Sequence, residues 1–117
     1  MYRQLAALAM LSLPTAAEAY EPIKSKSAFL DTIEGRELRI GLYGLSLTVS
    51  PKGTIEGRAL GGDITGSWDW RDGYFCREMD WSGHEIPYNC QLVEKSGSKL
   101  RFTTDKGAGD SAAFDLR

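Results

Sequence analysis

Residues 64–81 read ITGSWDWRDGYFCREMDW. Apolar and polar side chains alternate on both sides of the turn-forming segment 71–73, which is typical of two antiparallel strands joined by a hairpin. A three-residue loop with glycine in the left-handed conformation puts residue 70 opposite residue 74. Residues two apart point to the same side, so this register gives one face of the sheet to four side chains: Trp68, Trp70, Tyr74 and Cys76.

The same alternation continues from Arg36 to the C-terminus, with turn residues every eight to twelve positions. Short connections pair strands that are neighbours in sequence. The pattern therefore predicts an all-β fold, a small antiparallel up-and-down barrel or a sandwich of about seven to eight strands. The predicted strands are Glu37–Leu42, Leu45–Ser50, Thr54–Leu60, Ile64–Trp70, Tyr74–Trp81, Ile86–Lys95, Lys99–Thr104 and Ala112–Leu116.

One short helix is predicted before the strands. Apolar residues recur at helical spacing over 27–35. Ser27 is the candidate N-cap, and Gly35 is the candidate terminator. The polar residues 20–26 that precede this segment predict no regular element.

The first nineteen residues have the composition of a secretory signal peptide. They combine a basic start at Arg3, an apolar run over Leu5–Leu13 and the small-x-small sequence Ala17–Ala19. The apolar run is far shorter than the ~20 residues that a membrane-spanning helix needs. We expect cleavage of residues 1–19, no membrane span, and a single β domain over 20–117 that is periplasmic or secreted.

The two cysteines, Cys76 and Cys90, predict one disulfide bond, because an exported small domain folds in an oxidising compartment. They are equidistant from Gly83, so a turn centred there places them opposite each other. Their spacing is not that of a redox motif, and the one histidine, His84, cannot complete a tetrahedral ligand set with them. We therefore predict no metal and no cofactor.

Several classes of function are disfavoured by the same sequence. The net charge is −2 and no basic stripe is present, so a nucleic-acid partner is not expected. No nucleophile elbow or HExxH motif occurs, and His84 is expected in an exposed loop. The glycine-rich segment 107–111 is most simply a hairpin turn. The clustered carboxylates have no catalytic spacing, so an enzyme is not favoured; they are Asp69, Asp72, Glu78, Asp80 and Glu85.

Four aromatic residues are the candidate ligand-binding set: Trp68, Trp70, Tyr74 and Tyr88. Aromatic walls with a few polar tips are typical of small-molecule pockets. The alternative is that the tryptophans form the hydrophobic core of so small a domain.

Four segments are similar to a family of short exported bacterial proteins of unknown function: Gly66–Trp70, Gly73–Arg77, Asn89–Gln91 and Asp105–Ser111. Members of that family are sometimes labelled dihydrodipicolinate reductase. The residues do not support this activity, because no βαβ unit with a GxGxxG motif is present. The Gly-x-Trp strand at 66–68 is also similar to lipocalin-like and avidin-like small barrels and to exported protease inhibitors of the same build.

The sequence favours two functions. The first is a lipocalin-like binding protein for a small apolar or aromatic ligand, which predicts a cavity beside Trp68 and Trp70. The second is a protein-binding module, either inhibitor-like or an envelope assembly factor that acts on another envelope protein. This second function predicts an exposed apolar patch or a protruding segment.

Overall fold

The computed structural model describes residues 19–117 of the chain. Within this range it contains one α-helix, α1 (Lys26–Ile33), and nine β-strands. The strands are β1 (Glu21–Ile23), β2 (Leu38–Ile40), β3 (Leu45–Val49), β4 (Thr54–Ala59), β5 (Gly62–Arg71), β6 (Tyr74–Trp81), β7 (His84–Ser96), β8 (Lys99–Thr103) and β9 (Ser111–Leu116).

Strands β2 to β9 form a closed antiparallel barrel. Each strand pairs with the next one along the chain, and pairing of Leu38 with Leu116 joins β2 to β9. Closure leaves no open edge within these eight strands. The predicted up-and-down barrel is confirmed, and the sandwich alternative is not. The short strand β1 was not predicted; it pairs with β7, with Ile23 opposite Val93.

The hairpin between β5 and β6 has a two-residue turn, Asp72-Gly73, in which both residues have positive φ. This geometry matches the right-handed twist of paired strands. The predicted three-residue loop is therefore wrong, and the register moves by one residue. Trp70 pairs with Phe75 and Trp68 with Arg77.

The one-residue difference changes which side chains enter the barrel, because side chains alternate along a strand. Trp68 is buried inside the barrel with Phe75 and Arg77, its neighbours on β6. Tyr74 and Cys76 alternate with Phe75 and Arg77 along β6, so their side chains point to the outer face of the barrel. The four side chains predicted to share one face are thus divided between the two.

Helix α1 covers one end of the barrel. The Ser25 side chain accepts a hydrogen bond from the Ala28 amide at 3.2 Å, so Ser25 and not the predicted Ser27 is the N-cap. Gly35 follows the helix with φ of +67°, as its role as terminator requires. The fully buried Phe29 ring lies against four aromatic rings inside the barrel: Trp68, Trp70, Phe75 and Phe102.

The predicted disulfide between Cys76 and Cys90 is confirmed, and the two residues are directly opposite on β6 and β7. Beyond them the pairing shifts by one residue between Arg77 and Met79, where Pro87 and Tyr88 on β7 face Glu78 alone. A proline has no amide hydrogen to donate, so a bulge is a natural place for it in a sheet.

The predicted signal peptide, apart from Ala19, lies outside the described residues. Over residues 19–117, no helix is long and apolar enough to cross a membrane.

Candidate functional site

The barrel interior holds a cavity of about 180 Å³. Seven of the eight barrel strands contribute residues to its wall. Nine of the lining residues are apolar and two are polar: Leu38, Leu47, Val49, Ile55, Phe75, Met79, Phe102, Ala112 and Phe114, with Arg77 and Gln91. A wall that is mostly apolar with few polar groups is typical of small-molecule sites.

The cavity opens at the end of the barrel opposite α1. Ala112 lies at the start of β9 and pairs with the buried Phe102, so its side chain points inward. It is nevertheless exposed to solvent. An inward-pointing residue that solvent reaches marks the mouth of the cavity.

Arg77 is the charged residue of the cavity wall, and only 8% of it is exposed. Its Nη1 donates a hydrogen bond to the Pro87 carbonyl at 2.8 Å, which satisfies the backbone at the bulge. Burial lowers the pKa of Arg77 from its ordinary value, because the charged form loses hydration. The guanidinium still carries its charge at neutral pH.

Gln91 is the second polar residue of the wall and is equally buried, at 8% exposure. Gln91 on β7 pairs with Phe75 on β6, and Phe75 is two residues before Arg77 on the same strand. Within residues 19–117 no side-chain nitrogen or oxygen is both sealed from solvent and without a hydrogen-bond partner. The polar side-chain atoms of this wall are therefore either paired or reached by solvent.

Trp68 and Trp70, two residues of the predicted ligand-binding set, lie at the closed end of the barrel. The Trp68 Nε1 donates to the Ser50 carbonyl at 2.9 Å, and the Trp70 Nε1 donates to the Lys24 carbonyl at 3.2 Å. Both rings pack against Phe29 of α1. Neither residue lines the interior cavity.

Tyr74 and Tyr88, the other two predicted residues, lie outside the barrel. The ammonium groups of Lys24 and Lys106 stand over the Tyr74 ring at 5.8 and 5.5 Å from its centroid. Tyr88 is exposed, and its hydroxyl lies 3.5 Å from the Cys90 sulfur. The structure does not bring the four predicted residues together, and their binding role stays a prediction.

The clustered carboxylates lie on the surface, and two of them have structural partners. Asp69 forms an ion pair with Arg71, and the Asp80 carboxylate accepts a hydrogen bond from the Gly83 amide at 2.9 Å. His84 is exposed, as expected, although it begins β7 rather than lying in a loop. Among the described residues, no three metal-ligating side chains are grouped to hold an ion.

Two segments of the family resemblance contact each other near the mouth. The Asn89 carboxamide donates to the Asp105 carboxylate at 2.8 Å and accepts from the Asp105 amide at 2.9 Å. Asp105 and Lys106 both have positive φ, which non-glycine residues adopt at a cost. Asn89 thus holds the connection between β8 and β9 in a strained conformation.

Three large apolar side chains near the mouth are exposed: Leu42 by 85%, Leu60 by 68% and Tyr43 by 51%. Leu42 and Tyr43 belong to the β2–β3 turn, and Leu60 belongs to the β4–β5 turn. A hydrogen bond of 3.2 Å from the Leu60 amide to the Tyr43 carbonyl joins the two turns. We call these three residues the apolar rim. Exposed apolar groups that lie together are typical of interaction surfaces.

A larger cleft of about 550 Å³ lies on the surface between the end of α1 and β3. Many of the residues that line it are exposed, among them Asp31, Glu34 and Arg36. A bound molecule there would stay largely in water, so the interior cavity is the better candidate site.

Sequence reasoning missed Arg77 and Gln91. A signal was present for Arg77, because the residues two positions before and after it, Phe75 and Met79, are both apolar. Gln91 has an apolar residue at this spacing only on one side, Val93. A charged or amide side chain on the inward face of a strand is unusual enough to mark a site. The error in the hairpin register assigned Arg77 to the outer face and concealed it.

No protein-family model matches the chain, and no curated protein or solved structure is significantly similar to it.

Proposed function

We propose that the protein is an exported, lipocalin-like binding protein that takes a small apolar or aromatic ligand into its barrel. The interior cavity with its mouth beside Ala112 is the observation that supports this proposal. The disulfide bond supports the exported location, because such bonds persist in oxidising compartments.

The volume of the cavity sets the size of the ligand. Ligand sites for drug-sized molecules usually exceed about 300 Å³, whereas an apolar cavity of about 150 Å³ accepts a molecule such as benzene. A cavity of about 180 Å³ suits a ligand of one ring or a short alkyl chain. A longer ligand would extend through the mouth towards the apolar rim.

The replacement Ala112→Trp tests this site, because it puts a large ring into the mouth without disturbing the closed end. We expect the unmodified protein to bind indole with a dissociation constant of about 1 mM or below, and the variant to bind at least roughly tenfold more weakly. Isothermal titration calorimetry measures both. Binding that Ala112→Trp leaves unchanged would exclude the cavity.

Ala113→Trp is the matched control. Ala113 is also exposed but pairs with Arg101, so the added ring points away from the barrel. We expect this variant to bind indole like the unmodified protein. A loss of binding in both variants would mean that any bulky residue on β9 disturbs the barrel.

The second candidate function is a protein-binding module, and the apolar rim favours it. The double replacement of Leu42 and Leu60 by serine separates the two functions, since neither side chain lines the cavity. If the apolar rim binds a protein partner, the double variant should bind indole with unchanged affinity. It should also lose the cross-links to a partner that a photo-cross-linker at position 43 forms in intact cells. Weakened indole binding would instead make the rim part of the ligand entrance.

A further inference from the structure

We propose that the ligand of the barrel is a small amphipathic anion, an apolar monocarboxylate whose carboxylate is bound by Arg77. This inference rests on the proposed function and specifies the chemical class of the ligand. It starts from a buried cation in a cavity whose other walls are almost entirely apolar.

Arg77 has no counter-ion within the described residues. The ion pairs of residues 19–117 join other partners, and no carboxylate lies within 4.0 Å of its guanidinium. Removing a charge from water is costly unless an opposite charge or hydrogen bonds compensate for it. The carbonyl of Pro87 compensates in part, and a bound anion would supply the rest.

The geometry leaves the appropriate edge of the guanidinium available. Nη1 is engaged by the Pro87 carbonyl, whereas Nε and Nη2 form no hydrogen bond within residues 19–117. Neither atom is sealed, because no unpaired nitrogen in this range is inaccessible to solvent. Nε and Nη2 form the edge that receives a carboxylate through two parallel hydrogen bonds.

Gln91 provides the neighbouring donor. Gln91 lines the cavity, and its carboxamide forms no hydrogen bond to residues 19–117 and is not sealed from solvent. An amide beside the guanidinium can donate to the same carboxylate, while an amine ligand would meet a positive charge at this wall. The rest of the cavity receives the alkyl or aryl part of the ligand.

The size of the cavity limits the chain length. About 180 Å³ corresponds to roughly six water-sized groups, since a water molecule occupies about 30 Å³ of the liquid. Hexanoate, with five alkyl carbons and one carboxylate group, has this number of groups. It also has two close analogues of the same length, 1-hexanol and hexylammonium, which differ in charge.

Calorimetric titration of the unmodified protein with these three probes is the first test. We expect hexanoate to bind about tenfold to a hundredfold more tightly than 1-hexanol, the range for a hydrogen bond to a charged group. Hexylammonium should bind more weakly than 1-hexanol. Equal binding of hexanoate and 1-hexanol would overturn the anion inference and leave the proposed function intact. Failure of all three probes in a protein that binds indole would overturn the anion inference alone, whereas failure of indole as well would overturn the proposed function.

Arg77→Met then tests the assignment to the residue. We expect hexanoate affinity to fall to the level of 1-hexanol, and 1-hexanol affinity to stay the same. Arg77→Lys keeps the charge and should retain part of the preference, which distinguishes a binding role from a loss of folding. Arg39→Met is the control, since Arg39 is exposed and paired with Glu37. A preference for hexanoate that persists in Arg77→Met would overturn the assignment.

Discussion

Phe29→Ala should lower the free energy of unfolding by about 3–5 kcal/mol, the range for removing a buried phenylalanine. Phe29 is fully buried, and the centroid of its ring lies 5.2 to 6.3 Å from the centroids of four other aromatic rings. Its loss removes apolar burial and leaves a hole that rigid barrel walls cannot close. Urea unfolding followed by tryptophan fluorescence measures the change.

The replacement also tests whether α1 is the closure of the barrel. Trp68 and Trp70 are shielded at this end by Phe29, so water should reach them and shift their emission to longer wavelength. Tyr43→Ala is the control, because it removes an exposed aromatic side chain and should change stability by no more than about 0.5 kcal/mol. If both replacements had the same small effect, α1 would not close the barrel.

Removal of the disulfide by replacing Cys76 and Cys90 with alanine should cost about 3 kcal/mol of stability. The bond joins residues 14 apart in sequence, and its loss restores the conformational freedom of that loop to the unfolded chain. The bond also holds β6 to β7 beside the bulge at Pro87. Thermal unfolding with and without the replacement measures the effect.

Reduction of the unmodified protein provides the internal comparison for the disulfide. A reductant should lower the melting temperature of the unmodified protein to about that of the alanine variant, and it should leave the variant unchanged. A melting temperature that the reductant leaves unaltered would mean that the bond is protected or adds little. Mass spectrometry distinguishes these cases by the two hydrogens gained on reduction.

The strands and the disulfide were predictable because both depend on local patterns. Alternation of apolar and polar residues with a period of two marks a strand wherever one face is buried, and glycines mark the turns between strands. The equal distances of Cys76 and Cys90 from Gly83 predicted their pairing. The turn is in fact centred between Ser82 and Gly83, and the bulge opposite Glu78 shifts the register by the one residue that puts the two cysteines opposite each other. The same pattern left a barrel and a sandwich as alternatives, and the pairing of β2 with β9 in the structure decides for the barrel.

The residues that line the cavity were not predictable in the same way. A two-residue and a three-residue turn at 71–73 differ little in local free energy. The difference of one residue nevertheless moves every side chain of β6 to the opposite face of the sheet. Trp68 and Trp70 were assigned to a ligand site because they are aromatic, whereas in the fold Phe29 from a distant helix covers them.

The sequence alone therefore determined the all-β class, the order of the strands and the disulfide, because each is encoded in residues close to one another along the chain. The tertiary structure decided the inward facing of Arg77, the position of the cavity and the end of the barrel that is open. These depend on the exact register and on contacts between distant segments, which no local pattern of residues specifies.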